Sequence, residues 1–164
     1  MDHNNQVREE LLQIVSEYTD EQLNERLDDT SWSIMQNLEH LYLIERLVTN
    51  SIKKELLNES SESADPKPIQ FTVDRSRKVK APSNIEPSDE FITLVDIKNK
   101  LIQSREALTQ VANSDHKDHF DKKSFAHPVF GLLSLTQWIE FIGFHEKRHL
   151  AQIQEITQYL KETS

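Results

Sequence analysis

The sequence predicts an all-α protein, a four-helix bundle with a long crossover between its second and third long helices. Three observations point there. Its 164 residues contain only 2 Gly and 5 Pro, too little turn punctuation for an all-β or tightly looped α/β fold. Apolar residues recur at helical spacing in four long stretches. Pro66, Pro68, Pro82 and Pro87 fall together in the break between the second and third of these stretches, where helix cannot continue.

Asn4 or Asn5 can cap a first helix whose apolar positions are Val7, Leu11, Leu12, Ile14, Val15 and Tyr18. Thr19–Thr30 reads as a short helical link anchored by Leu23 and Leu27. Ser31 is the expected cap of a second long helix running to about Asn58, with Ile34, Leu38, Leu41, Val48 and Ile52 on its apolar face. Residues 59–87 form the crossover, within which Ile69–Val73 reads as a short extended piece. Ser88, Asp89 and Glu90 are expected to open a third helix to about Asn113, the acidic first turn suiting the helix dipole. Its inward residues are read as Phe91, Leu94, Val95, Ile97, Leu101, Ile102 and Leu108. Residues 114–133 read as an irregular loop. Ser134 with Gln137 forms a capping box for a fourth helix running to about Lys161. Residues 1–164 are expected to be a single domain, since this length buries enough surface without a disulfide.

Bulk charge removes several function classes. The formal net charge is −9, the wrong sign for a phosphate-backbone partner, so no nucleic acid is expected. The basic residues Arg75, Arg77, Lys78 and Lys80 read as a solvated loop, with an anionic-substrate rim as the alternative. No apolar run approaches a membrane span, the start lacks a signal-peptide pattern, and there is no Cys. A cytoplasmic location and no membrane partner are therefore expected. Glycines only at 131 and 143 exclude a P-loop, a dinucleotide fingerprint and a G-x-S-x-G elbow.

The chemistry lies in the histidines. Along the fourth helix, Trp138, Ile142, His145, His149, Ile153, Ile156 and Leu160 keep one face. His145 and His149 thus interrupt the apolar stripe one turn apart, pointing the same way, as a shared metal requires. A lone buried imidazole is more often a core residue with a backbone partner. Two in register without partners would be costly to bury, and a shared cation removes that cost. His40, followed by Ile44 and Leu47 on one flank of the second helix, is the candidate third ligand. Three histidines with an open coordination position describe a reactive site. Zn²⁺ or Ni²⁺ suits it best, with Fe²⁺ and Cu²⁺ also compatible with imidazole. His116 and His119 lie in a charged loop, His127 before Pro128 reads as structural, and His3 is terminal.

His145-Glu-Lys-Arg-His149 also matches the H-E-x-x-H helix of zinc metalloproteases. The metzincin extension needs Gly and His where Gln152 and Glu155 stand, and no substrate-aligning sheet is foreseen. Glu146 is read instead as a solvated residue on the outer flank of the helix.

Trp32 through His40, Lys78-Val-Lys-Ala-Pro82, and His127-Pro-Val-Phe-Gly131 running through Trp138 to His145-Glu-Lys-Arg-His149 resemble, in order, the DinB-like superfamily and its YfiT-like branch. The resemblance implies a four-helix bundle, frequent homodimers, a small-molecule substrate and a metal at His40, His145 and His149. It also implies thiol S-transfer, from a low-molecular-weight thiol such as bacillithiol, or hydrolysis; fold alone does not choose between them. With no Cys in the chain, any thiol must come from outside. The alternatives are a non-catalytic metal-binding or stress-response bundle, and a purely structural dimer. No general base is legible.

Overall fold

Residues 1–164 are described by a computed structural model. Four long helices make a bundle: α1 (Asp2–Val15), α3 (Ile34–Leu56), α4 (Leu94–Ala112) and α5 (Leu135–Thr163). A five-residue helix, α2 (Asp20–Asn24), links the first two. The helix starts follow local chemistry. Thr19 with Gln22, and Ser33 with Gln36, form capping boxes, so α3 begins two residues later than Ser31 would have placed it. At α4 the cap is Thr93, whose side chain accepts from the Asp96 N–H. The start expected at Ser88 is displaced because Ser88 instead bonds the Glu39 carboxylate. Helix α1 starts earlier than expected, with Met1 at its cap position, and Asn4 is buried within it. Ser134 does cap α5, but the Gln137 side chain holds both the N–H and the carbonyl of Lys67, pinning the crossover to α5.

Relative directions follow from paired contacts. His145 meets His40 and His149 meets Asn37, so α3 and α5 are antiparallel. Asn4 bonds the Ile139 carbonyl and Arg8 meets Glu146, so α1 runs parallel to α5. Gln36 reaches Asp89 just ahead of α4, and Ser104 reaches Glu45, so α3 and α4 are parallel. Two consecutive parallel helices require the chain to return the full length of the bundle, which is the task of residues 57–93. That segment contains two short 3₁₀ turns, Ile69–Val73 and Ser83–Ile85. The first corrects the extended piece expected there, as Ile69 is buried while the peptide groups close on themselves.

A small hairpin, β1 (Ser124–His127) with β2 (Gly131–Ser134), replaces the irregular loop expected before α5. Gly131, at φ +76°, closes its turn in a conformation L side chains rarely adopt.

The core divides into two apolar clusters. One gathers Val7, Leu11, Leu38, Leu41, Leu101 and Ile153 with their neighbours, and the other Val48, Ile52, Leu108, Trp138 and Ile142 with theirs. On α4 the buried side runs through Ile97, Leu101, Ser104, Arg105 and Leu108. Phe91, Val95 and Ile102, expected inside, are exposed. Phe91 precedes the helix. Ile102 lies five residues beyond Ile97, which turns it about 140° away on a helix of 3.6 residues per turn.

Candidate metal centre

Helices α3 and α5 bring His40, His145 and His149 together, with one nitrogen from each ring within 4.8 Å of the others. Each ring is positioned differently. His40 Nδ1 donates to the carbonyl of Ile85, 2.8 Å away in the crossover. His149 Nδ1 donates to Asn37 Oδ1 at 2.8 Å. Asn37 lies one turn before His40, is fully buried, and donates its own amide to the Ser33 carbonyl at 2.9 Å, which leaves Oδ1 as the acceptor. These bonds fix both rings in the Nδ1–H form and leave each Nε2 lone pair free, the arrangement metal-bound histidines adopt.

His145 completes the set from one turn before His149. Its Nε2 lies 3.2 Å from that of His40. Its Nδ1 is buried with no hydrogen-bond partner. Nitrogen lone pairs this close repel unless a proton or a cation lies between them. The convergence of three ring nitrogens and the neutral all-imidazole donor set fit a divalent transition metal. Trp32 walls the site, its ring near-parallel to that of His149 at 6.2 Å and tilted against His40 at 5.0 Å.

Burial holds all three imidazoles below the usual histidine range, His145 and His149 well below it. For His145 the next causes are the neighbouring His149 and His40 and the charge of Arg148. For His149 they are His40, Arg148 and Arg75. No carboxylate acts on either ring. The result is neutral imidazole, the ligating form.

Glu146 is not the solvated flank residue expected. It is 1% exposed and is held by Arg8 of α1 and Arg105 of α4. Both arginines also hold Glu45 of α3, which is fully buried. In α5, residue 146 is turned about 100° from His145, but α1 packs on that side, so the helix has two buried faces. Glu146 is therefore engaged by two arginines from neighbouring helices rather than left free beside the rings.

His127, read as structural, sits in the hairpin. Its Nδ1 accepts the N–H groups of Val129 and Phe130, tying the hairpin turn, and its ring packs against Phe130, Trp138 and Phe141. Burial lowers its pKa to about 4. His116 and His119 stay in an exposed loop, and His3 packs against Phe144. In the basic segment Arg77, Lys78 and Lys80 are exposed, while Arg75 pairs with Glu155 at 2.6 Å. Sequence reasoning missed Asn37. The available signal was a polar residue three before His40, on the same buried face of α3.

Comparisons with known proteins agree with this architecture. The Bacillus subtilis (strain 168) protein YuaE, called uncharacterized, is 36% identical over 157 residues, 96% of each chain. The four-helix bundle protein TT2238 superposes with a TM-score of 0.63 at 19% identity, covering 94% of both chains. YfiT of Bacillus subtilis, described as a probable metal-dependent hydrolase with an unusual four-helix bundle topology, gives the same score and identity, covering 98% of this chain and 85% of its own. At these identities the two structures bear on fold alone. Residues 3–153 match the DinB superfamily, and the chain belongs to that superfamily.

Proposed function

We propose that this protein is a metal-dependent enzyme that holds Zn²⁺ or Ni²⁺ on His40, His145 and His149 and acts on a small electrophilic substrate. The observation that carries this reading is the convergence of three ring nitrogens within 4.8 Å, two of them oriented by buried acceptors. The YfiT description supports hydrolysis as the form of the reaction. A divalent metal there would supply Lewis acidity, making a water molecule or a thiol beside it a stronger acid. The protein's own part is to keep three imidazoles neutral and fixed, and to wall one side of the site with Trp32.

One observation favours transfer of an external low-molecular-weight thiol as the second reading. Glu146 and Glu39, the carboxylates adjoining His145 and His40 in sequence, are engaged by Arg8 and Arg105 and by Ser88, so neither is free to act as a general base. A thiol, with a pKa near 8.5, needs far less help to ionise than water. We also propose a homodimer in a cytoplasmic setting. No helix is long and apolar enough to cross a membrane.

Elemental analysis of purified protein tests the site. His149→Ala should lower the bound metal ten-fold or more, and equal stoichiometry in mutant and wild type would defeat the assignment. Parallel assays of the loaded protein, against ester and amide substrates and against thiol–electrophile pairs, separate hydrolase from transferase. Metal binding with neither activity would leave a non-catalytic binding module. Light scattering at the monomer mass of 19.2 kDa would refute the dimer.

A further inference from the structure

Behind the three histidines, each of the four long helices contributes one charged residue to a closed buried ring: Arg8 from α1, Glu45 from α3, Arg105 from α4 and Glu146 from α5. None is more than 9% exposed. Arg8 grips both carboxylates, reaching Glu146 through Nε and Nη2 and Glu45 through Nη2 at 3.3 Å. Arg105 does the same, through Nε to Glu45 at 2.8 Å and Nη2 to Glu146 at 2.9 Å. The remaining donors and acceptors are also used. Arg8 Nη1 bonds the Leu101 carbonyl, Arg105 Nη1 bonds Asn5 Oδ1, and Ser104 Oγ bonds Glu45 at 2.6 Å. Burial alone would depress the Arg8 pKa, but Glu146 and Glu45 outweigh it and hold the group above its ordinary value.

The position of this ring matters. It lies at the boundary between the two apolar clusters, which end at Leu41 and begin at Ile44 on α3, and end at Ile142 and resume at Leu150 on α5. Apolar surfaces tolerate small slides and rotations, because dispersion contacts are not directional. A guanidinium fork against a carboxylate does not. Glu146 adjoins His145 in sequence, and Glu45 follows His40 by five residues. The ring therefore joins α3 and α5 close to the level where their histidines meet.

We propose that Arg8, Glu45, Arg105 and Glu146 are positioning residues: a neutral four-helix clamp that holds α3 and α5 in the register needed for His40 to meet His145 and His149. This rests on the metal reading of those histidines. It separates from a merely stabilising role because buried ion pairs replaced together by apolar residues often leave stability unchanged or raised, as register devices in other bundles also show.

The test uses the full chain. The combined variant Arg8→Met, Glu45→Leu, Arg105→Met, Glu146→Leu leaves net charge unchanged. Chelator-treated protein should melt at or above the wild-type temperature, while Kd for Zn²⁺ by calorimetry rises ten-fold or more. Affinity within two-fold of wild type would overturn the proposal. Should the combined variant not fold, Glu146→Gln decides, assayed well below its melting point beside an equally destabilised Ile52→Ala. The expected result is a three-fold or greater rise in Kd for Glu146→Gln alone, and equal affinities in the two variants would overturn the clamp. If wild type binds neither Zn²⁺ nor Ni²⁺, the metal reading falls, and the clamp is judged by proton NMR contacts between the His40 and His145 rings. Their loss in Glu146→Gln supports it, and their retention overturns it.

Discussion

Asn37→Ala removes one oxygen 2.8 Å from His149 Nδ1 and leaves the three candidate ligands in the chain. Two effects follow. The His149 Nδ1–H becomes a buried donor without a partner, which costs about 1–3 kcal/mol. At this chain length that is about 2–12 °C of melting temperature. The ring also loses what fixes its tautomer and rotation, and removing such an acceptor typically weakens metal affinity about 10–100-fold, or about 1.4–2.8 kcal/mol. The Ser33 carbonyl keeps its bond from the Asn37 backbone N–H at 3.1 Å, so the first turn of α3 should survive. Asn37→Asp is the matched control. It keeps an oxygen acceptor for His149 and adds negative charge near a bound cation, so affinity should be held within three-fold of wild type or become tighter. The lost amide donor turns the second oxygen towards the Ser33 carbonyl and lowers the melting temperature. Calorimetric titration with Zn²⁺ beside a circular-dichroism melt reads both effects. Wild-type affinity in Asn37→Ala, whatever its melting point, would refute the orientation argument.

Other consequences are as direct. His40→Ala should leave helix content nearly unchanged and weaken Zn²⁺ or Ni²⁺ binding ten-fold or more; unchanged affinity would defeat the three-histidine site. Gly143→Ala places a methyl that overlaps Asn4 Oδ1 and lies 2.9 Å from His3 Cδ2, displacing the bond from Asn4 to the Ile139 carbonyl. Overpacking of this kind costs about 1–3 kcal/mol, against about 0.5–1 kcal/mol gained from alanine's helix preference, so the melting temperature should fall and a rise would refute the close approach. Chelator-treated protein should lose stability as pH falls from about 6.5 towards 4. His40, His127, His145 and His149 all have pKa values lowered by burial. The unfolded chain therefore binds more protons across that window, and stability rises with pH there. A melting temperature that stays flat between pH 7 and 5 would refute this.

The helices were legible because their causes are local. Ser134 caps α5 and the period of Trp138, Ile142, His145 and His149 marks one face, since both depend on residues within a turn or two. The errors at Ser31 and Ser88 came from competing polar residues, where Gln36 selected Ser33 and Glu39 drew Ser88 elsewhere. The hairpin escaped notice because two four-residue strands carry too few alternations to stand out from a loop.

His145 and His149 could be paired from sequence alone, since helix geometry sets their separation. His40 is 105 residues away from His145, and only the antiparallel packing of α3 on α5 brings it there. The same holds for Ile85, whose carbonyl reaches His40 from the crossover. Hydropathy misplaced Glu146 for a related reason. A single apolar stripe reports one buried face, whereas α5 is buried on two, against α1 and α3. A charged residue on the second face looks solvated until its partners from other helices are known. Sequence determined the long helices, the Ser134 cap and which histidines share a face, because backbone hydrogen bonding and side-chain periodicity act within one segment. Tertiary structure decided which charges are buried and which rings meet, because those depend on the register between segments that only packing sets.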